Sequence, residues 1–213
     1  MKIGRYEIDE DLLAGTRADG VARGRIVRPS RPVIVLGRSS ELESELDAEA
    51  ISKQPIDLLR RRGGGCSVLL DPGNLVVSLI LPIPGFGAIK RYFRQISRWL
   101  SVELALCGIE GVRQEGVSDL VLGDRKIGGS CIFRTRDLLY YSTTLLVEPD
   151  IEAMERYLAH PPREPAYRQG RRHRDFVMGL AQISKGLDTP TLLAALAPRL
   201  TPSGFLDHLS PPP

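Results

Sequence analysis

Nothing in the sequence approaches the roughly 20 consecutive apolar residues that a membrane helix needs. Met1-Lys2-Ile3-Gly4-Arg5 leads into charge rather than into the apolar stretch of a signal peptide. The expectation is a cytoplasmic protein with no membrane partner. Cysteine is scarce: Cys66, Cys107 and Cys131 are odd in number and far apart, which excludes a small disulfide scaffold and the paired spacing of a zinc site. Charge of one sign is scarce as well. The net charge is +3 over 213 residues, and the excess of base is concentrated at residues 60–62 and 168–174. Clustered arginines serve compact anions such as nucleotide phosphates as readily as nucleic acid, and no nucleic-acid partner is expected. There is no internal repeat and no low-complexity block.

What is present is a globular composition, 42% hydrophobic and 26% charged, with length enough for one sizeable core. Residues 32–36 and 56–59 are short β-branched or apolar runs that read as strands, with an acidic, short helical segment between them at 41–53. Residues 66–70 and 75–81 are further strands, and Asp71-Pro72-Gly73-Asn74 between them carries turn chemistry, so a hairpin is expected. Ile89, Phe93, Ile96, Leu100, Leu104 and Cys107 recur at three- and four-residue steps. That is the period of an amphipathic helix, and Gly108 is placed to end it. Strands follow at 119–122, 126–133 and 138–147, the first two joined at Gly123-Asp124.

Pro149-Asp150 opens a short helix to about Leu158, and His160-Pro161-Pro162-Arg163-Glu164-Pro165 then breaks regular structure, because proline lacks a donor and fixes φ. The tail to Leu209 reads as two or three helices, one entered through Thr189-Pro190 as cap and first position, and Pro211 to Pro213 as a frayed end. Strands first and helices last give an α+β fold with a mixed β-sheet and flanking helices. The expected division is a main domain over residues 1–160 and a basic linker with a helical tail over 161–213, packed on it.

Two segments carry chemistry. In Arg60-Arg61-Arg62-Gly63-Gly64-Gly65-Cys66-Ser67-Val68, three glycines let backbone N–H groups approach an anion, and adjacent guanidiniums grip phosphate oxygens in a two-pronged way. No Gly-Lys-Ser/Thr follows, so this is not a Walker loop; a surface loop with solvated arginines has the same composition. In Gly123-Asp124-Arg125-Lys126-Ile127-Gly128-Gly129-Ser130, a lysine between a turn and a glycine pair is a fixed point charge suited to a phosphate and a reacting carbonyl. Lys126 is the first-choice catalytic residue, although a lysine after a turn is also commonly solvated.

Taken together, these segments, with Asp71 and Gly73-Asn74, Leu145-Leu146 before Pro149-Asp150-Ile151, Tyr157-Leu158 and the early Gly37-Arg38, resemble the lipoate-protein ligase A family and its octanoyltransferase relatives. The resemblance runs from about Pro32 to Leu158. It implies a mixed-sheet domain shared with biotin protein ligases, with an acyl chain in an apolar channel. The implied reaction is activation of lipoate or octanoate by ATP with magnesium to an acyl-adenylate, and transfer to a lysine of a lipoyl carrier, either a lipoyl domain or a glycine-cleavage H-like protein.

On that resemblance Lys126 holds the acyl carbonyl and the adenylate phosphate, and Arg61 with Gly63, Gly64 and Gly65 contacts the acyl-adenylate. Asp124 lies near the adenine or metal end, and Ser67, Asp71, Asn74, Ile127, Gly128 and Ser130 complete the binding set. The chain departs from the family pattern at Leu70, which replaces a histidine, at Tyr140-Tyr141-Ser142-Thr143, which replaces a His-Gly or His-His pair, and at Gly129-Ser130-Cys131. The accessory domain of larger ligases is not evident after Leu158, which implies a separate accessory subunit. The octanoyltransferase alternative is ATP-independent and needs a thiolate, for which Cys131 and Cys66 are the candidates; a non-catalytic lipoyl-binding module is the third reading. Arg163 to Phe176 is dense in groups that bind anions, and it reads either as a cover folded back over the adenylate or as a solvated linker.

Overall fold

A computed structural model describes residues 2–184 and 186–209; the expected frayed end at Pro211 to Pro213 lies outside them. The chain opens with β1 (Ile3–Arg5), α1 (Glu10–Asp19) and β2 (Arg23–Val27), then β3 (Val33–Leu36), the short helices α2 (Leu42–Glu45) and α3 (Ala48–Lys53), and β4 (Asp57–Arg60). β5 (Val68–Leu70) and β6 (Asn74–Leu81) precede the long helix α4 (Ile89–Leu106). Next come β7 (Arg113–Glu115), β8 (Asp119–Leu122), β9 (Arg125–Arg134), β10 (Leu139–Leu146) and α5 (Ile151–Tyr157). The remainder holds a 3₁₀ turn at Ala166–Arg168, α6 (His173–Phe176), α7 (Thr189–Leu196) and α8 (Pro202–Leu209).

The strands form two sheets. One is mixed, in the order β1-β4-β3-β5, with β4 parallel to both β1 and β3 and β5 antiparallel to β3. The other is antiparallel, in the order β2-β6-β10-β9-β8-β7. Every residue of β6 is buried, as a strand covered on both faces must be. On one face α4 lays Phe93, Ile96, Leu100 and Leu104 into a core that also takes α7 and α8, and Trp99 meets Phe205 edge to face with centroids 5.4 Å apart. As the sequence predicts, α4 ends at Gly108, whose φ of 84° lets its N–H turn back onto the Ala105 carbonyl. The smaller sheet builds a second core with α3, α5 and Phe176, and Val35, Leu70 and Val76 pack at the junction of the two sheets. The architecture is α+β with mixed sheets and flanking helices.

Two sequence expectations are corrected. β5 and β6 do not form a hairpin, because β5 pairs with β3 in one sheet and β6 with β2 and β10 in the other. Asp71-Pro72-Gly73-Asn74 is a tight turn, with Asn74 N–H donating to the Asp71 carbonyl at 3.0 Å, but it serves as a corner between sheets. Asp71 Oδ1 accepts from Gly73 N–H at 2.6 Å and Oδ2 from Asp150 N–H at 3.1 Å. The Gly73 carbonyl accepts from Val147 and Glu148. A Cβ on Gly73 would stand 1.8 Å from the Glu148 carbonyl oxygen, so only glycine permits the crossing. The second correction concerns α7: its cap is Asp188, which accepts from Thr191 N–H at 2.8 Å, while the Thr189 hydroxyl donates to Glu148.

Candidate active site

The glycine loop is held from below by the end of β3. Arg38 N–H donates to the Gly63 carbonyl at 2.9 Å, and a Cβ on Gly37 would sit 1.8 Å from the Gly65 carbonyl oxygen. The Gly65 carbonyl therefore reaches the Gly37 backbone because Gly37 has no side chain there. The flanking arginines turn onto carbonyls. Arg60 Nη1 donates to Gly37 at 2.8 Å and Ser40 at 2.9 Å. Arg61 spans Val35 at 2.9 Å and Gly64 and Cys66 at 2.8 Å each. Arg62 pairs outward with Glu10. Buried Glu45, at the end of α2, accepts from Ser67 N–H. The loop is thus a clamped structure, and Arg61 fixes its shape.

Between the two sheets lies a cleft of about 1010 Å³. Its lining is mixed: Gly64, Gly65, Cys66, Ser67, Ser130 and Lys126 are polar or glycine, and Val76, Phe93, Ile132, Leu146 and Met154 are apolar. Residues 161–165, with Arg168, His173 and Phe176, form another wall, so the basic segment folds back over the cleft. Lys126 enters from the first turn of β9, and its Nζ stands 2.7 Å from Asp119 Oδ1 with a quarter of the side chain exposed (26%). A register shift between Leu120 and Val121 brings the start of β8 beneath it. A Cβ on Gly129 would lie 3.0 Å from Nζ, so this glycine makes room for the lysine. Ser130 Oγ shares a 2.8 Å hydrogen bond with Tyr141 OH and donates to Thr143 Oγ1 at 3.0 Å. Burial pushes the fully buried Tyr141 phenol up to about 12, and it remains protonated.

Among the described residues three buried polar atoms of cleft-lining side chains have no partner: Tyr6 OH, Ser67 Oγ and Arg168 Nη2. Arg168 is only 4% exposed. Its guanidinium packs over the Phe176 ring at 4.7 Å, and its nearest carboxylate, Glu164, is 3.6 Å away. Buried donors left open in this way favour a polar ligand.

Not every sequence candidate reaches the cleft. Asp71 and Asn74 belong to the corner between the sheets, Ile127 is core, and Gly128 lies where a Cβ would meet the Thr144 carbonyl oxygen at 2.6 Å. Asp124 is 83% exposed and paired with Arg171 at 2.9 Å. Among the described residues no group of three or more His, Cys, Asp or Glu side chains stands together as a metal site. Gly63 abuts Cys131, where a Cβ would stand 2.7 Å from Sγ. Burial pushes both the Cys131 and the Cys66 thiol up, and the opposing pull of Arg61, and of Lys126 on Cys66, is the weaker effect. Leu70 lies in the junction core, and Tyr140 OH donates to Asp9 at 2.8 Å. Arg168 lies in the basic segment that the sequence singled out, whereas Asp119 and Glu45 were not legible as site groups, since no sequence spacing encodes the contacts by which they reach Lys126 and the glycine loop.

His173 is neutral at pH 7. Burial, and then the Arg168 guanidinium, hold its imidazole down at about 4 from the usual 6.5. The unfolded chain therefore binds the extra proton first as pH falls. His173 contributes stability that is fully present above about 6.5 and is lost between there and about 4. Urea midpoints measured across that window should fall with acidification, and His173→Gln should flatten part of the slope; an unchanged slope in the variant would sink this assignment.

The lipoyl protein ligase A/B catalytic domain family matches residues 6–201. A lipoate–protein ligase of Streptococcus pyogenes is 29% identical over 129 residues, which are 60% of this chain and 37% of that protein. The chain spans less than half the length of the curated relatives that it matches. The bipartite lipoate protein ligase of Thermoplasma acidophilum, described with its E2 lipoyl domain, is similar in structure with a TM-score of 0.76 at 20% identity, over 98% of this chain and 82% of that one. A lipoate-protein ligase A bound with ATP has a TM-score of 0.76 at 19% identity, over 98% and 85%. At such identities the structural likeness is one of fold. No described helix is long and apolar enough to cross a membrane. Matched along nearly all of its length, the chain belongs to the lipoyl protein ligase A/B catalytic domain family.

Proposed function

We propose that the chain activates lipoate or octanoate with ATP as an acyl-adenylate and passes the acyl group to a lysine of a lipoyl carrier protein. The observation that carries this reading is one cleft lined both by apolar side chains and by a lysine, a glycine loop and the unpartnered Ser67 Oγ and Arg168 Nη2. The apolar side chains suit an acyl chain, and the lysine and the glycine loop a phosphoanhydride. In activation, a carboxylate oxygen bonds to the α-phosphorus and pyrophosphate leaves. In transfer, the carrier amine bonds to the acyl carbonyl carbon, loses a proton, and AMP leaves.

The Lys126 ammonium is placed to hold the phosphoryl and carbonyl oxygens as charge develops on them. Arg61 acts through the loop that it clamps. Magnesium would arrive on the triphosphate, as the small ion commonly does, with no protein ligand assigned. A lipoyl domain is the acceptor we propose, in keeping with the Thermoplasma relative. That relative is bipartite, and a second polypeptide that completes activation is part of the same proposal.

The test incubates the chain with lipoate or octanoate and magnesium-ATP, following pyrophosphate release and acyl-AMP by mass spectrometry. Synthetic lipoyl-AMP and an apo lipoyl domain then test transfer apart from activation. Acyl-AMP formation, or transfer from the supplied adenylate, supports the reading. If both fail while octanoyl carrier protein leaves a thioester on Cys66 or Cys131, the thiolate route replaces it.

A further inference from the structure

The segment after α5 is tied to Lys126 twice. Met178 N–H donates to the Lys126 carbonyl at 2.9 Å, and the Lys126 ammonium rests on Asp119 Oδ1, while Asp119 Oδ2 accepts from Tyr167 OH at 2.8 Å. We infer that Tyr167 and Asp119 are positioning residues that fix the place of the Lys126 ammonium, so that the segment crossing the cleft is part of the catalytic apparatus. The reaction they serve rests on the ligase reading above; the positioning itself does not.

The need for such a device follows from chemistry. A lysine ammonium is a point charge on a flexible four-carbon stem, and a site acting on developing charge must hold it in place beforehand. Asp119 supplies one restraint, but a carboxylate with one free oxygen still rotates about its own bonds. Tyr167 removes that freedom. Its phenol is pushed well above the ordinary range by burial and then by the Asp119 charge, so it stays protonated and donates. The residue is itself held, its ring 5.2 Å from the Phe176 ring and its backbone carbonyl accepting from Arg171 at 2.9 Å.

A purely structural tyrosine, one that only anchors the segment, makes a different prediction. Three full-length variants decide between the two: Tyr167→Phe, which keeps the ring and the packing, Asp119→Asn, and the double variant. In the adenylation assay Tyr167→Phe should lower kcat by about tenfold with KM for ATP within about twofold, because the lost restraint matters most in the transition state. The double variant should be no slower than Asp119→Asn alone, since Tyr167 acts only through Asp119. The second readout is the Lys126 side-chain ammonium resonance in protein labelled with ¹⁵N-lysine, which should shift or broaden in both single variants. Losses that multiply in the double variant, or an ammonium resonance unmoved by Tyr167→Phe, overturn the inference. If the wild-type chain forms no adenylate, the ligase reading fails by itself, and the resonance alone then decides the positioning role.

Discussion

Lys126→Ala is expected to lower the rate of adenylate formation by about 10²–10³-fold, the range found when one preorganised donor to developing charge is removed. The fold should survive. The ammonium is partly exposed and its stem crosses Gly129 without filling a core position, while Asp119 keeps the Tyr167 hydroxyl as a partner. The variant's urea midpoint should thus stay near that of the wild type while pyrophosphate release collapses. Lys126→Arg separates charge from shape. It keeps the positive charge, but a guanidinium is a broad planar fork and not a compact point charge, so it should recover only a small part of the rate. A Lys126→Ala enzyme within about threefold of wild type would remove Lys126 from the chemistry, since a hydrogen bond from a charged group is worth about 1.5–3 kcal/mol, more than tenfold in rate.

How much of this was legible in the sequence depended on whether the determinant was local. Ile89 to Cys107 announced α4 because its buried residues repeat at the helical period, and Gly108 ended it where only glycine takes a positive φ comfortably. β8, β9 and β10 were readable as apolar or alternating runs around Gly123-Asp124. By contrast α1 buries only Leu13 and Thr16, too few to mark a period, and Arg23–Val27 and Arg113–Glu115 are edge strands whose charged residues hide their pairing. The corner at Asp71-Pro72-Gly73-Asn74 failed as a hairpin because turn chemistry sets a change of direction, and the partner on each side is a distant strand, β3 for β5 and β2 with β10 for β6. In the site, the glycine loop and Lys126 were visible because their residue types are unusual in that order. Their supports were not, because Asp119 reaches Lys126 through a bulge and Tyr167 reaches Asp119 across 48 residues.

The contact between Gly37 and the glycine loop carries the second large effect. Gly37→Ala would place a methyl group 1.8 Å from the Gly65 carbonyl oxygen and 3.0 Å from Ser40 Oγ. The first obstacle is backbone, which cannot rotate away as a side chain would. The loop must therefore move, and with it the carbonyls of Gly64 and Cys66 that Arg61 holds and the Gly63 carbonyl that Arg38 holds. Overpacking of this kind costs on the order of 1–3 kcal/mol. The displaced loop also leaves the wall of the cleft, so adenylation should fall together with the urea midpoint. Gly64→Ala is the matched control: nothing lies within 4 Å of a Cβ built there, so the midpoint should not change. A methyl group at Gly64 does point into the space where the ligand would lie if the loop receives it, and it should raise KM while leaving the fold intact. The pair thus separates the two reasons for glycine in this loop, backbone contact at Gly37 and ligand access at Gly64. A Gly37→Ala protein with the wild-type midpoint and rate would show that the loop is not braced by β3, and a Gly64→Ala protein with the wild-type KM would show that no ligand approaches it.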